Sequence, residues 1–177
     1  MKKIALFLVL LMALGCEKDD ICPDDTVTTP RLTIEFFDIE TIEDQNPKNV
    51  ARLRAQGVDN ENPVPDLDGT SRKQKILLPL KTTTEDPNGE SFTTEYTIWR
   101  NYQVDENGTV TGNPDVITIT YTTRQEYVSR GCGFKSVFEN ITMSVADDGN
   151  RWIQVIQTVN DNQIIADENA TNFNIYH

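Results

Sequence analysis

Three cysteines, one histidine and 28 Asp or Glu residues carry most of the chemistry that this 177-residue chain could do. A hydrolase of the Ser-His-Asp or Cys-His type needs an imidazole held by the fold within reach of its nucleophile. The one histidine is His177, the last residue of the sequence, so chemistry of this type is not expected. A zinc site needs Cys and His ligands at set spacing, and Cys16, Cys22, Cys132 and His177 do not have it. A carboxylate pair for glycoside hydrolysis is defined by separation in space, which the sequence does not reveal; a carboxylate-dependent hydrolase therefore stands as one alternative. Asp59, Glu61, Asp66 and Asp68, with Gly69 to permit a bend, offer hard oxygens for calcium. They lack the D-x-[DN]-x-[DN]-G spacing that ends in Glu, and a solvated acidic loop is the plainer reading. No catalytic, cofactor or metal site is expected.

The remaining chemistry is at Cys16. Lys2 and Lys3 form a short positive region, and Ile4 to Leu14 is an unbroken apolar run. These are the parts of a secretory leader, and the run is too short for a bilayer core, which takes about 20 apolar residues. Met12-Ala13-Leu14-Gly15 before Cys16 resembles a bacterial lipobox, with Ala13 where that motif usually has Leu. The chain is therefore expected to lose residues 1–15 and to carry lipid on Cys16, palmitate included; the alternative is a plain secreted protein whose Cys16 pairs with another cysteine. One acyl chain binds a membrane marginally and two or more hold it firmly. Lys18-Asp19-Asp20, close behind the anchor, resembles the export signal of surface lipoproteins in the phylum Bacteroidota. The expected address is the outer membrane, on the cell surface, with the periplasmic face as the alternative.

If Cys16 carries lipid, Cys22 and Cys132 remain, and the compartment beyond the inner membrane is oxidising. They are expected to form a disulfide; two buried free thiols are the alternative. The net charge of −12 repels phosphates, and no basic patch is visible, so nucleic-acid binding is not expected.

Residues 16–30 are acidic and Pro-containing, without apolar periodicity, and read as a tether. Residues 31–177 read as one β-domain. Arg31 to Phe37 alternates polar and apolar, as a half-buried strand does. Pro79 within Lys75–Lys81 suits an edge strand or a bulge. Ser91 to Tyr102, Val116 to Thr123, Phe134 to Val145 and Trp152 to Val159 are rich in β-branched and aromatic residues. Asn88-Gly89, Asn107-Gly108 and Asp148-Gly149 are turn signals, and the last is expected to join Ile141–Asp147 to Arg151–Thr158 as a hairpin. Pro47 to Gln56 reads as a strand in preference to a turn of helix. Asp59 to Ser71 reads as the longest loop. About seven or eight short strands argue a single antiparallel β-sandwich or open barrel.

Three stretches carry a family resemblance: Thr29-Pro30-Arg31-Leu32-Thr33-Ile34-Glu35-Phe36, Leu78-Pro79-Leu80, and Tyr127-Val128-Ser129-Arg130-Gly131-Cys132-Gly133-Phe134. In this order after an early cysteine they resemble an uncharacterised family of Bacteroidota lipoproteins. The resemblance implies a cysteine near the start and a second in the Ser-x-x-Cys-Gly segment, which supports Cys22–Cys132. It implies no activity.

Modification and binding signals are weaker. Asp25-Thr26-Val27 resembles the O-glycosylation motif of the same phylum, making Thr26 a candidate acceptor. Sequons at Asn107, Asn140 and Asn169 read as chance. Tyr96, Trp99, Tyr102, Tyr121 and Trp152 could form a sugar platform, although strand aromatics more often serve the core. The expected role is a non-enzymatic accessory or scaffold subunit of an outer-membrane protein complex. The alternative is a solitary glycan- or ligand-binding surface module.

Overall fold

A computed structural model describes residues 21–82, 91–159 and 163–177. The leader, Cys16, Lys18-Asp19-Asp20 and the Asn88-Gly89 turn lie outside the described residues. Nine strands are described: β1 (Leu32–Phe37), β2 (Arg54–Gly57), β3 (Pro63–Asp68), β4 (Lys75–Leu78), β5 (Ser91–Val104), β6 (Val110–Ser129), β7 (Gly133–Val145), β8 (Val155–Thr158) and β9 (Phe173–Tyr176). A single 3-10 turn, Ile39–Thr41, is capped by the Asp38 side chain. The all-β sandwich expected from the sequence is what forms.

Two sheets face each other. One has the order β4-β1-β9-β8 and the other β3-β2-β5-β6-β7. The long strands β5, β6 and β7 pair antiparallel and curl into half a barrel. The curl follows from register shifts at Arg100/Gln103, Thr120/Thr122 and Tyr127/Ser129. A bulge leaves one residue unpaired and increases local twist. Asn101 and Asn140 occupy the left-handed region there, at φ 56 and 54, a region Asn tolerates better than most residues. On the other strand Gly112, φ 123, could not carry a Cβ, which would lie 2.9 Å from Arg100 O.

The core lies between the sheets. Period two on β6 sends Ile117, Ile119 and Tyr121 inward against Leu32, Ile34 and Phe36 of β1, with Trp152 and Phe138 filling the space between. The Trp152 indole N–H donates to Ile98 O at 3.2 Å, which satisfies the polar end of a side chain only 1 % exposed.

Four expectations need correction. First, the Asp148-Gly149 turn does not join a hairpin. β7 ends at Val145, and β8 pairs with β9 in the other sheet. Trp152 and Ile153, adjacent and both buried, cross between the sheets with their N–H groups on the Asp115 carboxylate in place of a β7 partner. Second, Asp59 to Ser71 is not a loop throughout, because Pro63–Asp68 forms β3 on β2. Its prolines stand on an edge strand, where a missing N–H breaks no ladder, and Leu67 is 3 % exposed. Third, β1 and β9 pair in parallel, so the sandwich is not purely antiparallel. Fourth, β1 does not alternate: Thr33 is as buried as its neighbours. The chain entering β9 covers it, with Thr33 N donating to Asn172 Oδ1 at 2.8 Å and Asn172 N to Thr33 O at 2.9 Å. In the Pro47–Gln56 stretch only the end is strand, since β2 begins at Arg54; Val50 adds a single bridge to Lys73.

Candidate functional site

One concavity lies where β2 turns into β3, above the middle of β5. It has a volume of about 590 Å³ and is walled by Val58, Val64 and Leu80, with Tyr96 at its floor. β5 positions the floor by its alternation, which sends Thr94 and Tyr96 inward. The buried hydroxyls at and beneath the floor are satisfied in two separate groups. The Tyr96 hydroxyl donates to Pro79 O. The Tyr121 hydroxyl lies 2.7 Å from Thr94 Oγ1 and 2.9 Å from Lys81 O. Burial, reinforced by the neighbouring Tyr121, pushes the Tyr96 phenol up to about 12; burial raises Tyr121 as well. Both phenols are therefore neutral donors fixed to carbonyls, suited to shaping a pocket and poorly suited to moving a proton at neutral pH. Lys81 and Glu95 stand on the exposed rim, where Glu95 Oε1 accepts from Thr118 Oγ1 at 3.0 Å.

A second concavity of about 510 Å³ runs along the open seam between β7 and β8, lined by Met143, Ile156 and Phe173.

A third feature is the end of the β6–β7 hairpin. Cys22 and Cys132 form a disulfide there, with Cα atoms 4.6 Å apart. The expected pairing is formed. Tyr127 and Phe134 face each other across the two strands, with ring centroids 5.6 Å apart. Both are largely exposed, at 58 and 61 %.

The other candidates are dispersed. Asp59, Glu61, Asp66 and Asp68 are not gathered, and the described residues contain no group of three or more His, Cys, Asp or Glu that could hold a metal. Asp68 instead accepts from Thr70 N at 3.0 Å and Thr70 Oγ1 at 2.7 Å, contacts that hold its carboxyl below the usual range. The five aromatics do not form a platform. Tyr96, Tyr121 and Trp152 are core residues, whereas Trp99 and Tyr102 pair edge to face, 5.9 Å apart, with the Arg54 guanidinium 4.7 Å from the Tyr102 ring centre. The sequon asparagines do structural work: Asn140 Nδ2 donates to Thr122 Oγ1 at 3.0 Å, and the backbone N–H groups of Asn107 and Asn169 close turns onto Asp105 and Asp167. Thr26 ends a turn whose N–H bonds to Pro23 O, among exposed neighbours.

Sequence reasoning missed two groups. His177 is buried against Trp152 and Phe36, with ring centroids 5.6 and 6.1 Å away; burial, then Lys48, pushes its imidazole below its ordinary value. Asp115 is 2 % exposed and accepts from Trp152 N at 3.0 Å and Ile153 N at 2.8 Å. Its position was legible, because Asp115 shares the parity of Ile117, Ile119 and Tyr121 on β6. It holds the crossing segment in place of the expected hairpin.

A family described as "Family of unknown function (DUF6452)" matches residues 53–177. The chain belongs to that family. The match begins just ahead of β2 and takes in the cavity, Asp115 and the hairpin end. No curated protein and no solved structure matches the chain.

Proposed function

We propose that this chain is a non-enzymatic lipoprotein of the outer membrane, anchored through Cys16 on the cell surface, and that its β-domain serves as an accessory subunit of a membrane protein complex. The observation that carries the reading is the Cys22–Cys132 bridge. It ties the folded body six residues after Cys16, and six extended residues reach at most about 20 Å. A domain held that close has a high effective concentration for partners in the same membrane. The satisfied hydroxyls at the floor of the larger cavity argue for holding over turning over.

The test is a native pull-down from detergent-solubilised envelopes. The tag belongs in the exposed Asn107-Gly108 turn, because Tyr176 and His177 are buried. A co-purifying outer-membrane protein near one-to-one, with a lipid-modified Cys16 by mass spectrometry, is the expected result. A lipidated protein that purifies alone removes the subunit role.

The cavity favours a second reading, a glycan- or ligand-binding surface module. A volume of about 590 Å³ lies in the range of small-ligand sites, and its lining sets Asp59, Asn60, Asn62, Lys81 and Glu95 beside the apolar Val58, Val64 and Leu80. Saturable thermal stabilisation by an oligosaccharide or short peptide, abolished by Val64→Arg, would support it.

A further inference from the structure

The disulfide-bonded end of the β6–β7 hairpin exposes apolar surface that the sandwich does not use. Tyr127 is 58 % exposed, Phe134 61 %, Val128 37 % and Ile21 77 %. The first and second meet edge to face across the hairpin. Ile21 is brought to the same end by the bridge: a Cβ on Gly131 would lie 2.7 Å from Cys22 N and 2.8 Å from Ile21 C, so the incoming chain lies directly on the hairpin turn. Behind it on the hairpin Glu126 lies between Arg124 at 3.1 Å and Lys135 at 3.4 Å.

We propose that this end of the molecule rests in the lipid interface, with Tyr127 and Phe134 at headgroup depth and Ile21 and Val128 beside them. The inference rests on lipidation of Cys16. Ile21 is the fifth residue after that cysteine, so it lies within about 18 Å of the anchor. Of the described chain, the hairpin end is therefore what the anchor brings nearest to the bilayer. Tyr is enriched at membrane–water interfaces because its ring is amphipathic. The patch is also small: a stable protein interface takes about 20–30 residues a side, whereas four side chains suit a shallow lipid contact. Seated so, β6 carries the larger cavity away from the membrane. Thr94, at the cavity floor, pairs with Ile119, eight residues along β6 from Tyr127, or about 26 Å of strand.

The test uses the full lipoprotein in phosphatidylcholine vesicles. Phe134→Trp and, separately, Tyr127→Trp place a reporter at the tip, with the parent as background for Trp99 and Trp152. Intact disulfide and unchanged near-ultraviolet circular dichroism show that each variant is folded. The expected result is blue-shifted emission from the new tryptophan, reduced by about half when the vesicles carry lipids brominated near the headgroup, a depth typical of interfacial aromatics. Unquenched emission of a hydrated indole, in protein that floats with vesicles and carries lipid on Cys16 by mass, overturns the seating and leaves the anchor standing. A shift that appears only when solubilised envelope proteins are added assigns the tip to a protein partner and also overturns it. A Cys16 without lipid removes the anchor and the inference together.

Discussion

Replacing Asp115 tests the logic of the crossing segment. Its carboxylate meets Trp152 N at 3.3 and 3.0 Å and Ile153 N at 2.8 Å. Both donors belong to residues at most 1 % exposed. Asp115→Ala leaves two buried N–H groups without their acceptor, at about 1–3 kcal/mol each. Against that stands relief from burying a carboxylate, whose pKa is raised by burial even though both N–H groups pull it down. The net expectation is a loss of about 2–5 kcal/mol for Ala at pH 7. Asp115→Asn keeps one acceptor oxygen and should lose about half as much. Urea unfolding followed by tryptophan emission gives the values, with the m-value unchanged. The pH dependence separates charge from shape. A carboxyl whose folded pKa exceeds its unfolded value favours the fold most when protonated, so its contribution declines as pH rises through the interval between the two. The gap between parent and Asn variant should therefore widen as pH falls from 7 towards 3. An Ala variant within 1 kcal/mol of the parent would refute the reasoning, since two orphaned buried donors cannot be that cheap.

Loss of the disulfide in Cys132→Ser should destabilise by about 4–5 kcal/mol, the chain-entropy value for a loop of this length; urea titrations with and without reductant measure it. The single histidine should titrate below 6.5 by NMR, because burial disfavours its charged form. Its contribution is present above the unfolded value and is lost as pH falls through the folded one, so His177→Phe should flatten the stability profile on the acid side of about pH 6.5. Gly69→Ala should cost about 2–3 kcal/mol by thermal unfolding: Gly69 has φ +91, and its Cβ would stand 2.5 Å from Tyr102 Cδ1.

Period two made the long strands legible, and with them the fold class. Val116 to Thr123 shows it most plainly, since seven of its eight residues are β-branched and such runs favour strands. Local signals failed where tertiary contacts decide. Pro63, Pro65 and four acidic residues spoke for a loop, but an edge position neutralises the prolines, and buried Leu67 outweighs the acids. Asp148-Gly149 does turn the chain, with Gly149 at φ 79; where the chain goes next depends on Asp115, more than thirty residues earlier. The cavity was not legible, because its walls come from three separate stretches, residues 57–65, 79–81 and 93–96. Of the hairpin end, only the cysteine pairing could be read, since exposure of Tyr127 and Phe134 is a property of the packed domain.

The bridge between Cys22 and Cys132 spans 110 positions, and β1 to β6 all lie inside the covalent ring it closes. Tension between the segment ahead of Cys22 and a partner gripping β7, β8 or β9 enters at sulfur and bypasses the ring. About 370 Å of chain is thereby withheld from extension, and a pull on the chain would meet a short linker where an unbridged domain could be drawn out like thread. A protease that nicks the exposed turn at residues 105–109 would likewise open the ring without parting the molecule.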